Sequence, residues 1–225
     1  MSYYVPEKLN HDLGAAAIVD SHALVWTPSP LPGVERRFLE RDGGEVARAT
    51  SIVRYAPGGR FSPHVHEKGE EYLVLSGVFS DESGDFAQGT YVRNPPGSRH
   101  APFTRDGCVI FVKLRQMPLS ERATRVVCTN DVEALPTEIN GLSRIFLHSG
   151  EDGELVSIDV LAPGTEWRDR GGSRGEEIFV LQGGLCHGGR QCGAGTWLRL
   201  PAGREYPLSS ATGCRPWAKR GHLAG

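Results

Sequence analysis

An all-β chain in two tandem copies, each closing as a sandwich or a barrel, is what this sequence predicts, and three observations predict it. Short runs rich in β-branched and aromatic residues are cut by turn formers, with 29 Gly and 15 Pro among 225 residues. One such run, GEEYLVLSG at 69–77, returns as GEEIFVLQG at 175–183, an offset of 106. Helical periodicity is scarce; a turn or two near TNDVEALPTEI (129–139) is the one place where helix is expected.

The repeat extends well beyond that run. At the same offset Gly89 becomes Gly195, Pro95 becomes Pro201, Gly97 becomes Gly203 and Cys108 becomes Cys214. Upstream, GVERRFL (33–39) corresponds to GLSRIFL (141–147) at an offset of 108, so the second copy has a loop two residues shorter. Within the first copy the strands read in order as ATSIVRYA before PGG, EYLVLSGVF before SDESGD, TYVRN before PPG, and CVIFVKLR before MP. Closing such strands on themselves removes exposed edges. The expected organisation is an N-terminal arm over 1–20, a first domain over 21–118 and a second over 119–225.

Charge and composition exclude several classes of function. With 39% hydrophobic and 23% charged residues the chain is ordinary for a globular protein of a size that buries a core without disulfide staples. The net charge of −2 supplies no field for phosphate backbones or anionic lipid, so neither nucleic acid nor membrane is expected as a partner. The start lacks a basic region followed by an apolar run, and a cytoplasmic location is expected. Five cysteines without CxxC spacing read as reduced, buried thiols. CHGGRQC (186–192) falls where the first copy has the hairpin tip SDESGDF, and no fourth ligand stands at metal-finger spacing.

The chemistry concentrates in RFSPHVHEKGEEYLVLSG (60–77). Alternate strand residues point the same way, so His64 and His66 share a face. Glu70 follows a tight EKG turn, and His100 lies in PPGSRH, where Pro95 and Gly97 impose a sharp turn. Three imidazole nitrogens and one carboxylate oxygen suit Zn, Fe, Mn, Ni or Cu and match Ca or Mg poorly.

These residues also carry a family resemblance. The first copy matches both cupin motifs, G-x5-HxH-x3-E-x6-G at 58–77 and G-x5-PxG-x2-H at 89–100. WTPSPLPGVERRFL, SIVRYAPGGRFSPHVH, GVFSDESGD and RNPPGSRHAPF more narrowly resemble the ChrR-like cupins, a group that includes the cupin half of ChrR-type anti-sigma factors and the acetylacetone-cleaving dioxygenases. The resemblance implies two tandem double-stranded β-helix (jelly-roll) barrels with one divalent metal in the first, held by His64, His66, Glu70 and His100. Spacing to His66 and Gly77 selects Glu70 over Glu71, because a one-residue shift reverses the face. The 106-residue offset places Arg170, Gly172, Glu176 and Tyr206 at the ligand positions of the second copy, which is therefore a degenerate, non-metal barrel. An Arg170–Glu176 contact, joined by Tyr206, is expected to substitute for the metal there.

Two functions follow from the resemblance. The first is a regulatory or sensor module with zinc foremost, and iron, manganese or nickel as alternatives, closed by four protein ligands. The second is a metal-dependent dioxygenase acting on a small diketone or other enolisable carbonyl compound. The acetylacetone-cleaving enzymes resemble a three-histidine site, whereas Glu70 follows the ChrR pattern. No H-x3-C-x2-C zinc-domain pattern precedes the first barrel, so sigma-factor binding is not expected. A small-molecule ligand in the first barrel and a monomeric or homodimeric chain complete the expectations.

Overall fold

Strand succeeds strand through the computed structural model, which describes residues 5–150, 152–169, 174–204 and 206–223. Among the described residues there is no α-helix, only a three-residue 3-10 turn at Ser21–Ala23. Among these residues no helix is long and apolar enough to cross a membrane. The helical turns expected near 129–139 are absent: Arg125–Cys128 and Leu135–Pro136 are short strands, and a turn joins them. Pro136 explains this, since a residue before proline is driven from the helical region toward extended backbone.

The chain divides into two compact units. One combines the stretch ending at His11 with Leu24–Asn130, the other Asp12–Ala23 with the stretch beginning at Asp131. In the first, an antiparallel sheet runs in the order Lys8–Leu9, Val34–Asp42, Arg48–Tyr55, Cys108–Leu114, Glu70–Asp81, Thr90–Asn94, Arg125–Cys128. The second repeats the pattern as Leu135–Pro136, Leu142–Ser149, Leu155–Leu161, Cys214–Arg220, Glu176–His187, Thr196–Leu200, Ala17–Asp20. From Val34–Asp42 and Leu142–Ser149 onward the order is the same strand for strand; before them, Leu135–Pro136 pairs as Thr27–Pro28 does in the first unit, while Lys8–Leu9 pairs at the other end of Val34–Asp42. Residues 17–20, expected in an N-terminal arm, thus complete the sheet of the second unit, with Ala17 opposite Arg199 and Asp20 opposite Thr196.

Each unit curls around its own apolar core. In the first, Val34, Tyr55, Tyr72, Val74, Phe79, Val92, Ile110 and Val112 are buried together, and Phe79 meets Tyr55 edge-on at 5.5 Å. The curl depends on glycine at one position in each copy. Gly77 and Gly183 have φ of 73° and 77°, and a Cβ on either would lie 2.2 Å from the carbonyl oxygen of Gly107 or Gly213. At Gly77 the Glu70–Asp81 strand leaves the pairing with Cys108–Leu114 and turns to pair with Gly84–Ala87. CHGGRQC forms the same hairpin in the second unit, where His187 pairs with Arg190 and Cys192 is buried in the core.

Candidate metal centre

His64, His66, Glu70 and His100 come together in the first unit, each offering one ligand atom, and all four atoms lie within 4.8 Å of one another. Among the described residues this is the one group of its kind. The short strand His64–Val65 pairs with Arg99–His100, which sets His64 directly opposite His100. The next residue, His66, is tied to the following turn by its own N–H on the Ser98 carbonyl and by Gly97 N–H on its carbonyl. Gly69, at φ 75°, closes the EKG turn on His66 and starts the long strand at Glu70. A side chain on Gly69 would collide with Met117.

Every imidazole is fixed through Nδ1, which leaves Nε2 for the centre. The Nδ1–H of His64 donates to the Ser62 carbonyl at 2.8 Å. Ser98 gives its hydroxyl proton to the Pro95 carbonyl, so its oxygen accepts from His66 Nδ1 at 3.1 Å. Asp81 accepts from His100 Nδ1 at 3.0 Å. The Nε2 atoms of His66 and His100 are buried without a hydrogen-bond partner and stand 3.4 and 3.5 Å from Glu70 Oε2. Buried nitrogens of this kind, oriented by hydrogen bonds on the far side of each ring, are how metal-ligating histidines are held. Ligands of a single ion at about 2.1 Å lie within about 4.2 Å of one another, so the group is nearly closed as it stands. The donor set and the unfilled Nε2 atoms therefore fit a divalent cation.

The long strand serves this cluster at both ends. Drawn straight, twelve residues span about 36 Å. Yet Glu70, its first residue, approaches Nε2 of His100, and Asp81, its last, holds Nδ1 of the same ring. The turn at Gly77 is what brings the ends together. Alternation sends the neighbouring Glu71 to the opposite face, where Tyr91 and Arg93 donate to it at 2.7 and 2.9 Å and Glu121 grips Arg93 through two bonds of 2.6 Å.

Protonation follows burial and these partners. Burial holds the His66 imidazole below its usual range, against the pull of Glu70. At His100 burial acts in the same sense, but the Asp81 hydrogen bond and the charge of Glu70 outweigh it and the imidazole is raised. Burial pushes Asp81 up, while hydrogen bonds from His100 and the Ser83 backbone pull it further down, so its carboxyl stays below the usual range. Burial and the charge of Glu70 push the phenols of Tyr55 and Tyr72 upward, which keeps both neutral.

Beside the cluster lies a cavity of about 400 Å³. His64, His66 and Glu70 form part of its wall, and Val34, Val53, Ile110, Val112 and Leu114 make much of the rest apolar. Arg36 and Arg115 also line it, paired with the exposed Glu45 and Glu67. Asp81, Ser98, Ser62 and Arg36 had no motif to announce them in the sequence.

The second unit holds a charged network at the corresponding positions. Glu176, the counterpart of Glu70, is buried and meets Arg220 at 2.6 Å. Arg220 also reaches Asp159 at 2.7 Å and Ser157 at 3.0 Å, and Arg144 grips Asp159 through both oxygens. Asp159 is pushed up by burial and pulled further down by Arg220 and Arg144, so it stays ionised. Arg170, the expected partner of Glu176, lies outside the described residues. Tyr206 begins the Tyr206–Ser210 strand, buried, with its ring 5.5 Å from that of His187.

Strand order, repeat and ligand cluster together define a two-barrel cupin with a candidate metal centre in its first barrel. The chain belongs to the ChrR cupin-like domain family, whose model matches it twice, over residues 14–118 and 122–224. Comparison with curated proteins finds no match. Among solved structures, a candidate dioxygenase from Nostoc punctiforme superposes with a TM-score of 0.76 at 12% identity, covering 99% of this chain and 86% of that one. The pirin YhhW of Escherichia coli in complex with nickel(II) gives 0.70 at 10% identity, covering 92% and 98%. An oxalate decarboxylase of Bacillus subtilis with Mn(II) centres gives 0.60 at 9% identity, covering 92% and 78%. At these identities the likeness is one of fold.

Proposed function

We propose that the first barrel binds one divalent cation through His64, His66, Glu70 and His100 and presents it to a small organic ligand, as a metal-dependent enzyme of the dioxygenase kind does. The carrying observation is the cavity: the ligand cluster forms part of the wall of a largely apolar space of about 400 Å³, within the usual range for small-molecule pockets. When bound, the cation supplies a Lewis acid for ligand oxygens. The chain's own contribution is positional. Asp81, Ser98 and the Ser62 carbonyl hold three imidazoles by Nδ1, which turns Nε2 to the centre, and the valine and leucine walls exclude water from the ligand's body.

A regulatory zinc module is the second reading, and the full set of four protein ligands with Glu70 favours it. The nickel and manganese reported for two structural neighbours support a transition metal in a fold of this kind.

Metal analysis of protein purified without a chelating column tests the site. One equivalent per chain is expected, and none in a His64→Ala, His66→Ala double variant. Wild-type protein that stays metal-free after reconstitution would sink both readings. Adding a β-diketone to the cobalt-loaded protein then separates them: a shifted visible spectrum marks an exchangeable position and supports the enzyme, whereas an unchanged spectrum supports the closed module.

A further inference from the structure

Arg36 stands on a face where the sequence otherwise places apolar residues. Along Val34–Asp42, Glu35 turns outward to Arg54 and Arg37 outward over Trp26, while Val34 and Arg36 line the cavity. Across the sheet Arg36 faces Thr27 on one side and Val53 on the other, and Val53 offers it no acceptor. Its ionic partner is Glu45, 3.4 Å from Nη1, and the Glu45 side chain is 56% exposed. Nε and Nη2 are buried and have no hydrogen-bond partner. Leaving donors of a buried cation unfilled is costly, and a state that fills them is favoured.

The second copy fills that place from within. Arg36 and Val53 correspond to Arg144 and Asp159, which face each other across the sheet in the same register. There the same two nitrogens, Nε and Nη2, meet the two oxygens of Asp159 at 2.7 and 2.9 Å. One copy of the repeat therefore carries an arginine with a built-in carboxylate, and the other carries the arginine without it, at the wall of a cavity.

We infer that Arg36 anchors the carboxylate of a small organic acid that enters the first barrel, takes the place Asp159 holds in the second, and turns its remaining oxygens toward the His64, His66, Glu70, His100 group. This rests on the metal-site reading above and names the ligand class of that site. A guanidinium matches a carboxylate through two parallel bonds, which a lysine does not reproduce. The exposed Glu45 gives way at little cost, because a solvated ion pair contributes little. The valine and leucine walls take the acid's alkyl or aryl body. In the second barrel Arg144 is already occupied by Asp159, so the same acid finds no anchor there.

The test uses three 2-oxo acids, pyruvate, 4-methyl-2-oxopentanoate and phenylpyruvate, each against its methyl ester, titrated calorimetrically into the full chain. Wild type, Arg36→Met, Arg36→Lys and Val53→Asp are compared in metal-free and metal-loaded form, with metal stoichiometry and thermal melting recorded first. At least one acid is expected to bind wild type at least tenfold more tightly than its ester. Arg36→Met removes that discrimination and Arg36→Lys restores part of it. Val53→Asp builds the second barrel's pair into the first and weakens the acid at least tenfold, while metal content and folding stay intact. Equal binding of every acid and its ester to wild type, or discrimination that survives both Arg36→Met and Val53→Asp, overturns the inference. A chain that takes up no metal yet still discriminates through Arg36 defeats the metal reading and leaves the anchor standing.

Discussion

Replacing Asp81 by Asn changes one oxygen for an amide nitrogen, keeps the side-chain shape, and is expected to weaken metal binding by about 10- to 100-fold. The two neighbours of Asp81 are both donors: the Ser83 N–H at 2.7 Å on one oxygen and His100 Nδ1–H at 3.0 Å on the other. A carboxylate satisfies both, and an amide satisfies only one. If the amide oxygen stays with Ser83, its NH2 faces His100 and drives the ring proton to Nε2, blocking the ligand atom. If the oxygen turns to His100, two N–H groups face each other at Ser83, which disfavours that rotamer although the contact is open to solvent. Either way the centre loses about 1.4–2.7 kcal/mol, the equivalent of that affinity change. Chelator competition against zinc measures the affinity, and circular dichroism verifies that the variant is folded. An Asp81→Asn protein that binds zinc within about twofold of wild type would refute the role given to the outer hydrogen bonds.

Two further predictions concern residues that hold the barrels. Glu71→Ala takes one of two carboxylates from the fully buried Arg93 and the acceptor from Tyr91, while Glu121 keeps its two bonds, and is expected to cost about 1–3 kcal/mol in denaturant unfolding with metal stoichiometry unchanged; loss of metal instead would mean that Glu71 acts at the site. Asp159 has its carboxyl held below the ordinary value of 3.8 in the folded protein, so the stability it contributes is complete above that pH and is lost as pH falls below it. Denaturant titrations at falling pH are expected to show an acid-induced loss that Asp159→Asn flattens, and an identical pH profile in the variant would refute this.

What was legible in the sequence is what repeats at short range. Alternation along a strand separated Glu70 from Glu71, and fixed spacings from Gly58 to Gly77 and from Gly89 to His100 marked the four candidate ligands that the fold brings together. Their outer partners were not legible, because Asp81 meets His100 only after the strand turns at Gly77, and Ser98 meets His66 only through a turn. The companion of Glu176 shows the same limit. The offset pointed to Arg170, which lies outside the described residues; Arg220, which the offset did not mark, meets Glu176 across the sheet in a register that no single strand reveals. Arg36 escaped notice because its meaning lies in Val53 opposite, a residue that is unremarkable until Asp159 is seen in the other copy.

The edge strand of the second sheet has a consequence for the order of events during synthesis. Ala17–Asp20 leaves the ribosome long before Thr196–Leu200, the segment it pairs with, has been translated. Lengthening a loop costs little in equilibrium terms, about 0.6 kcal/mol for each doubling, so the delay weighs on time rather than on final stability. Until Thr196–Leu200 emerges, that early segment travels as an unmatched ribbon, and the seam it finally closes joins a late thread to an early one.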